Sequence, residues 1–199
     1  MSGVDPQTLA IYGQKAADYS EIHHGDETDR RLSAFIDLLP AGGAVLDLGC
    51  GPGWAAARMR DAGFQVAAMD ACPEMAQVAA DRYGLRVRVA PFTALNDVAA
   101  HDGVWAHFSL LHAPRAALPG HFAALHRALR PGGRLFVAMK LGEGEGRDKL
   151  GRLYTYVGVD ELRGLLTDAG FTIEGQEIAR TMGFDGTPGE SAFLTARRD

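Results

Sequence analysis

The chain has 199 residues, 47% hydrophobic and 23% charged, which suits one domain with one sizeable core and the make-up of an ordinary globular protein. A formal net charge of -5 argues against a nucleic-acid partner held through its phosphates, though a local basic patch is compatible with that total. There is no membrane-length apolar run and no hydrophobic signal core in residues 1–6, and Cys50 and Cys72 make neither a CxxC pair nor a zinc spacing, so a cytoplasmic protein without membrane contact, disulfide framework or structural metal is expected.

Asp5-Pro6 opens a helix, with Asp as cap and Pro in the first turn. Leu9, Tyr12, Ala16 and Tyr19 recur at helical spacing and predict one helix to about residue 20. After the polar stretch 21–27, a second helix is predicted over 28–39, with Leu32, Phe35, Ile36 and Leu39 on one face and Pro40 and Gly42-Gly43 as its stop. Residues 44–48 read as a buried parallel strand interrupted only by Asp47. Glycines follow, then a helix to about residue 62, a strand over 65–69 ending at Asp70, and a helix over 73–83. Strands are predicted over 86–90 and 103–108, a helix over 115–130, a Pro131-Gly132-Gly133 turn and a strand over 134–139. A helix over 158–169 precedes strands 171–179 and 191–197, joined by a loop too short for a crossover and therefore antiparallel. From residue 44 strand and helix alternate, which implies right-handed crossovers and an α/β sandwich. The two N-terminal helices read as a cap (1–40) on a Rossmann-like core (41–199), free to lie over the carboxyl ends of the strands where ligands bind in such sheets.

The central motif is Val45-Leu46-Asp47-Leu48-Gly49-Cys50-Gly51-Pro52-Gly53, joining a buried strand to a helix. Its glycines permit positive φ and close approach to a ligand. The dinucleotide fingerprint G-x-G-x-x-G needs a third glycine where this chain has Trp54. Asp47 would repel a pyrophosphate but attract an ammonium or sulfonium, and no Gly-Lys-Ser/Thr follows for a nucleoside triphosphate. Asp70 stands at the spacing where an acidic residue meets ribose hydroxyls, and one carboxylate can accept from both. Met75 and Phe92 lie beyond strands two and three, where an adenine fits between apolar groups.

With the loop from Asp47 to Gly53, with Asp70, with Leu110-Leu111-His112, with Leu129-Arg130-Pro131-Gly132-Gly133-Arg134-Leu135 and with Ala169-Gly170-Phe171, the chain resembles a class I S-adenosylmethionine-dependent methyltransferase over residues 10–197. It looks closest to the small single-domain enzymes that methylate small molecules. The resemblance implies a seven-stranded, mostly parallel sheet of order 3-2-1-4-5-7-6 whose last strand is antiparallel. It implies S-adenosylmethionine as cofactor, with Gly49, Cys50 and Gly51 beside its methionine part, Asp70 and Ala71 at the ribose, Met75, Phe92 and Thr93 at the adenine, and Phe108 near ribose or sulfur. Many members carry an acidic residue after strand three; Ala90-Pro91-Phe92 offers none, so Thr93 or a backbone carbonyl takes that place.

Several residues have two readings. Tyr12 and Tyr19 are either core contacts of the first helix or a cover over the cofactor. His112, after the fourth strand, either binds or deprotonates the acceptor or is a turn residue, whereas His107 reads as a core residue of the fourth strand. Residues 142–149 are either a lid or a solvated loop, with Tyr154 and Tyr156 behind them as candidate pocket residues. His23 and His24, beside Asp26 and Glu27, read as a solvated loop rather than a metal site. Asn-Pro-Pro-Tyr, a motif of enzymes that methylate amino groups of bases, is absent, which with the acidic balance argues against DNA as acceptor and leaves a small molecule first, with protein and RNA acceptors still open. The competing readings are a non-catalytic module that binds the cofactor or its product, and an NAD-dependent oxidoreductase, which Trp54 and Asp47 oppose.

Overall fold

The computed structural model describes residues 4–21 and 25–199. Seven strands form one sheet: β1 (Ala44–Leu48), β2 (Gln65–Asp70), β3 (Val87–Val89), β4 (His101–His107), β5 (Leu129–Lys140), β8 (Phe171–Met182) and β9 (Pro188–Arg198). Their order is β3-β2-β1-β4-β5-β9-β8. β1 pairs parallel to both β2 and β4, and β9 runs antiparallel to β5 and β8. Leaving out a separate two-stranded ribbon, β6 (Glu145–Arg147) and β7 (Leu153–Thr155), this is the expected 3-2-1-4-5-7-6 sheet with its last strand antiparallel.

The strand period of two divides the core. Leu46, Leu48, Val104, Ala106, Leu135 and Val137 face α6 (Leu118–Ala128) and α7 (Val159–Asp168), where Phe122, Leu125, Leu162 and Leu166 are buried. The alternate set, Val45, Trp105, Phe136 and Phe193, packs against Leu32 and Phe35 of α3 (Asp26–Ile36) and Ala55 and Met59 of α4 (Trp54–Asp61). Asp47 belongs to this second face, one step past Val45 and next to the carboxyl end of the sheet. A third cluster docks α1 (Pro6–Gln14) and α2 (Ala16–Ser20) on α5 (Pro73–Tyr83), through Leu9, Tyr12, Ala16 and Tyr19 against Cys72 and Met75.

Several boundaries differ from those expected. The first helix breaks at Lys15 (φ -109°, ψ 13°), just past Gly13, a weak helix former, and so becomes α1 and α2. α3 begins at Asp26 and ends at Ile36; Asp26, Glu27 and Asp29 lie in its first turn, where negative charge complements the backbone dipoles. The helix expected from 115 starts as a single 3-10 turn, Arg115–Ala117, and becomes α-helical at Leu118, with Pro in its first turn. β4 and β5 reach back to a His101–Leu129 pair, and the Pro131-Gly132-Gly133 turn is absorbed as a register shift before Gly103–Arg134. β8 and β9 close through a tight turn in which Gly183 N donates to Thr187 O at 2.8 Å. Residues 142–149 are neither a bare loop nor a free lid, since 145–147 pair with Leu153–Thr155 as a ribbon. Among the described residues no helix is long and apolar enough to cross a membrane, and no three or more His, Cys, Asp or Glu side chains converge; His23 and His24 lie outside the described residues.

Candidate functional site

The loop after β1 turns back on β2. Gly49 N and Cys50 N both donate to Met69 O, at 2.7 and 3.1 Å. Gly49, Gly51 and Gly53 all have positive φ, +69°, +52° and +85°. Gly49 also lies against β4's exit: a Cβ there would stand 2.4 Å from Ser109 Cβ. A Cβ on Gly53 would meet Leu85 and Ala79 at 2.7 and 2.9 Å, so it is Gly53 that lets the loop pack against α5 and its end. A Cβ on Gly51 would meet nothing within 4 Å, which marks this glycine as the one facing open space. Asp70, at the end of β2, fixes the loop from outside: Gly51 N donates to its Oδ2 and Cys72 N to its Oδ1, both at 2.8 Å.

These residues line a cleft of about 1050 Å³, counting its open mouth. Tyr12, Tyr19, Asp47, Gly49, Cys50, Gly51, Asp70, Ala71, Met75, Phe92, Phe108 and His112 all lie on its wall, with Trp54. Thr93 is exposed and stands outside that wall. His107 also reaches the wall, half-buried at the end of β4 beyond Trp105, rather than sitting in the core as expected. Phe108 is held at φ +54° and its ring meets Phe193 edge-on at 5.7 Å. A bulky residue with positive φ is strained, and this one stands on the cleft wall.

Among the described residues, Asp47 Oδ2 and Ser109 Oγ are buried on the wall with no hydrogen-bond partner. Burial, with the Asp70 charge adding to it and a bond from the Ala56 backbone opposing, pushes the Asp47 carboxyl up to about 7. Burial likewise raises Asp70, against the N–H groups bonded to it. The cleft thus presents two carboxyls whose ionised forms burial disfavours, Asp47 with an unbonded oxygen and Asp70 held by backbone N–H groups, a site that gains most from a cationic guest. An amino-acid ammonium or a sulfonium fits; a pyrophosphate does not. Through a carboxyl raised this far, the empty protein loses stability as pH rises from about 4 to about 7, because the unfolded chain gives up that proton first. A cationic ligand reverses the preference, so its binding at pH 6.5 is expected to expel a proton from Asp47. Calorimetry in buffers of different ionisation heat measures this; a buffer-independent binding enthalpy contradicts it.

The N-terminal cap completes the wall, and a buried polar network joins the cap to the ribbon behind it. Arg152, 1% exposed, donates from Nε and Nη2 to Asp148 Oδ2 at 2.8 and 2.6 Å, from Nη2 to Tyr154 Oη at 2.9 Å, and from Nη1 to Tyr12 Oη at 2.8 Å. His112 Nδ1 lies 2.7 Å from Leu153 O, an acceptor only, so Nδ1 carries the proton. Nε2 then accepts from Tyr12 Oη at 2.7 Å. Asp5 caps α1 at Thr8 N and binds Arg147 of β6 through both oxygens, at 3.0 and 2.9 Å, while Leu153 N donates to Thr8 Oγ1. Tyr19 meets Phe184 of the β8–β9 turn edge-on, at 4.8 Å. Sequence reasoning located Tyr12, Tyr19 and His112 but not Arg152 and Asp148, whose i, i+4 spacing was the only available signal.

Burial, opposed by the Leu153 carbonyl, lowers His112 to about 4. The ring is therefore neutral at physiological pH, and the stability it lends is full above about 6.5 and is lost as pH falls toward 4. A ring-proton titration by NMR is expected to show a midpoint near 4; a midpoint near 6.5 contradicts this environment. Tyr154 and Tyr156 line a second cleft, between the ribbon and the β8–β9 turn, rather than the first.

Comparison with known proteins fits this geometry. Residues 45–133 match a family model described as a methyltransferase domain. The chain is 33% identical over 144 residues to the malonyl-[acyl-carrier protein] O-methyltransferase of Enterobacter lignolyticus, covering 68% of this chain and 54% of that protein. It is 36% identical over 115 residues to a ubiquinone biosynthesis O-methyltransferase of Xanthomonas oryzae pv. oryzae, covering 54% and 46%. The chain thus spans about half the length of the curated relatives it matches. Among solved structures, the 1,6-didemethyltoxoflavin-N1-methyltransferase of Burkholderia thailandensis, with bound 1,6-didemethyltoxoflavin and S-adenosylhomocysteine, superposes with a TM-score of 0.74 at 25% identity, over 96% of this chain and 87% of that one. Sheet order, glycine loop and relatives agree: the chain belongs to the class I S-adenosylmethionine-dependent methyltransferases.

Proposed function

We propose that this chain binds S-adenosylmethionine in the first cleft and transfers its methyl group to a small-molecule acceptor, with residues 1–40 as a helical cap on a single methyltransferase domain. The observation that carries this reading is Asp47: a buried carboxyl with an unbonded oxygen, at the foot of a glycine loop open on Gly51. When bound, S-adenosylmethionine supplies a methyl group already activated on a sulfonium. The chain's part is to bind and to orient. Asp47 faces the cationic methionine end, beside Gly49, Cys50 and Gly51. Asp70 and Ala71 meet the ribose; Asp70 retains lone pairs after accepting from Gly51 N and Cys72 N. Met75 and Phe92 enclose the adenine, with Thr93 at its outer edge. Phe108 stands at the sulfur end, and Tyr12 and Tyr19 cover the cleft. Holding acceptor and methyl in line supplies much of the rate. His112, neutral with Nε2 as an acceptor atom, serves as the base where the acceptor must shed a proton; Tyr12 must first release it.

The relatives named above methylate small molecules or a carrier-bound acyl group, which supports a small acceptor over nucleic acid. One observation favours a second reading, a non-catalytic binding module: both ring nitrogens of His112 are already engaged. Incubation of metabolite extracts with methyl-labelled S-adenosylmethionine separates the two. Labelled small product is expected; tight cofactor binding with no transfer to any extract component establishes the module instead.

A further inference from the structure

The second cleft, about 680 Å³, opens between the β6–β7 ribbon and the β8–β9 turn. Lys140, the last residue of β5, stands on its wall, and its Nζ lies 5.7 Å from the centre of the Phe108 ring, which lines the first cleft. Lys140 is thus the point where the two clefts approach each other. Its backbone pairs with Ser191 of β9, and its half-buried ammonium donates to Thr181 Oγ1 at 2.8 Å; Thr181 in turn bonds Ser191 Oγ at 2.7 Å. Among the described residues, a hydroxyl is the only polar group bonded to this ammonium and no carboxylate forms an ion pair with it.

The carboxylates on the same wall are committed to other partners or exposed. Asp148 is paired with Arg152, and Asp185 accepts from Thr187 N, Thr187 Oγ1 and Lys149 N. Glu190 is exposed. Burial lowers the Lys140 pKa and the nearby Arg152 charge adds to it, while Asp185 opposes from across the cleft. A half-buried cation with one neutral partner gains from an anionic guest. Tyr154, 7% exposed, and Tyr156, half-buried, stack on each other on the same wall, 5.8 Å apart and 21° from parallel, so Tyr156 offers the more open ring to a planar body.

We propose that Lys140 anchors the methyl acceptor: the acceptor is a planar small molecule bearing a carboxylate or similar oxyanion, which pairs with Nζ while its body lies against Tyr156 and its reactive atom points past Phe108 to the first cleft. This rests on the methyltransferase reading.

The test uses protein saturated with S-adenosylhomocysteine and a series of substituted benzoates with their matching benzamides as probes, titrated by NMR. The wild type is expected to bind acids at least about tenfold tighter than amides, the scale of a charge-assisted hydrogen bond. K140M is expected to erase that preference without changing amide or S-adenosylhomocysteine affinity, and K140R to keep most of it. Equal binding of acids and amides by the wild type, a preference that survives K140M, or no binding of either series at millimolar concentration overturns the role of Lys140. Should K140M not fold, K140Q takes its place with the same expected loss. The first titration, of S-adenosylhomocysteine alone, stands apart: its failure on the wild type defeats the methyltransferase reading, and Lys140's role with it.

Discussion

Gly49→Val is expected to destabilise the fold by about 2–5 kcal/mol and to weaken S-adenosylmethionine binding at least about 100-fold, the sum of left-handed strain and overpacking. Gly49 has φ +69°, a region that a β-branched residue enters only under strain. Its new Cβ would stand 2.4 Å from Ser109 Cβ, far inside contact distance, and that atom is held by the end of β4. The loop must then leave Met69 O, to which Gly49 N and Cys50 N donate, and the path of Gly51 moves with it. Gly51→Ala is the control for stability alone, because its Cβ enters the open cleft and only its φ of +52° resists folding. Denaturant unfolding and calorimetry measure both variants. A folded Gly49→Val protein with unchanged affinity would mean that the loop does not hold the ligand.

Asp70→Ala is expected to reduce S-adenosylmethionine affinity at least about tenfold and stability by about 1–3 kcal/mol, since charged hydrogen bonds and stranded partners each carry that scale. Two effects combine in it. The variant strands Gly51 N and Cys72 N, both bonded to the carboxylate at 2.8 Å, and it removes the group assigned to the ribose. Asp70→Asn separates them: its one carbonyl oxygen preserves part of the loop anchoring while the charge is gone. Affinity in Asp70→Asn near that of Asp70→Ala locates the effect in the ligand contact. Unchanged affinity in a folded Asp70→Ala protein refutes the ribose assignment.

The core of the fold was legible because its signals are local. Val45, Leu46 and Leu48 are a short apolar run, and a strand buried on both faces needs nothing more. The three positive-φ glycines after it, and Asp70 one strand later, are positions that only a loop folded over a strand end requires. What was missed depends on residues far apart in the chain. Arg152 reads as a surface residue until Tyr12, 140 positions earlier, arrives to accept from it. The ribbon of Glu145–Arg147 with Leu153–Thr155 has too few residues for periodicity to register, and it is held from outside by Asp5 and Thr8 of the cap. The break at Lys15, just past Gly13, has its consequence in tertiary contacts: with α1 and α2 separated, Tyr12 and Tyr19 meet edge-on at 5.5 Å, and Tyr19 reaches Phe184. Lys140 shows the same limit, since a strand-end lysine looks solvated until the β8–β9 turn and the ribbon fold around it.

The most direct measurement of the central claim is calorimetric titration of the wild-type protein with S-adenosylmethionine, S-adenosylhomocysteine and NAD. The first two are expected to bind and NAD to give no heat, because Asp47 opposes a pyrophosphate and the place of a third fingerprint glycine is taken by Trp54. Tight NAD binding with no response to the other two would contradict the assignment of the cleft.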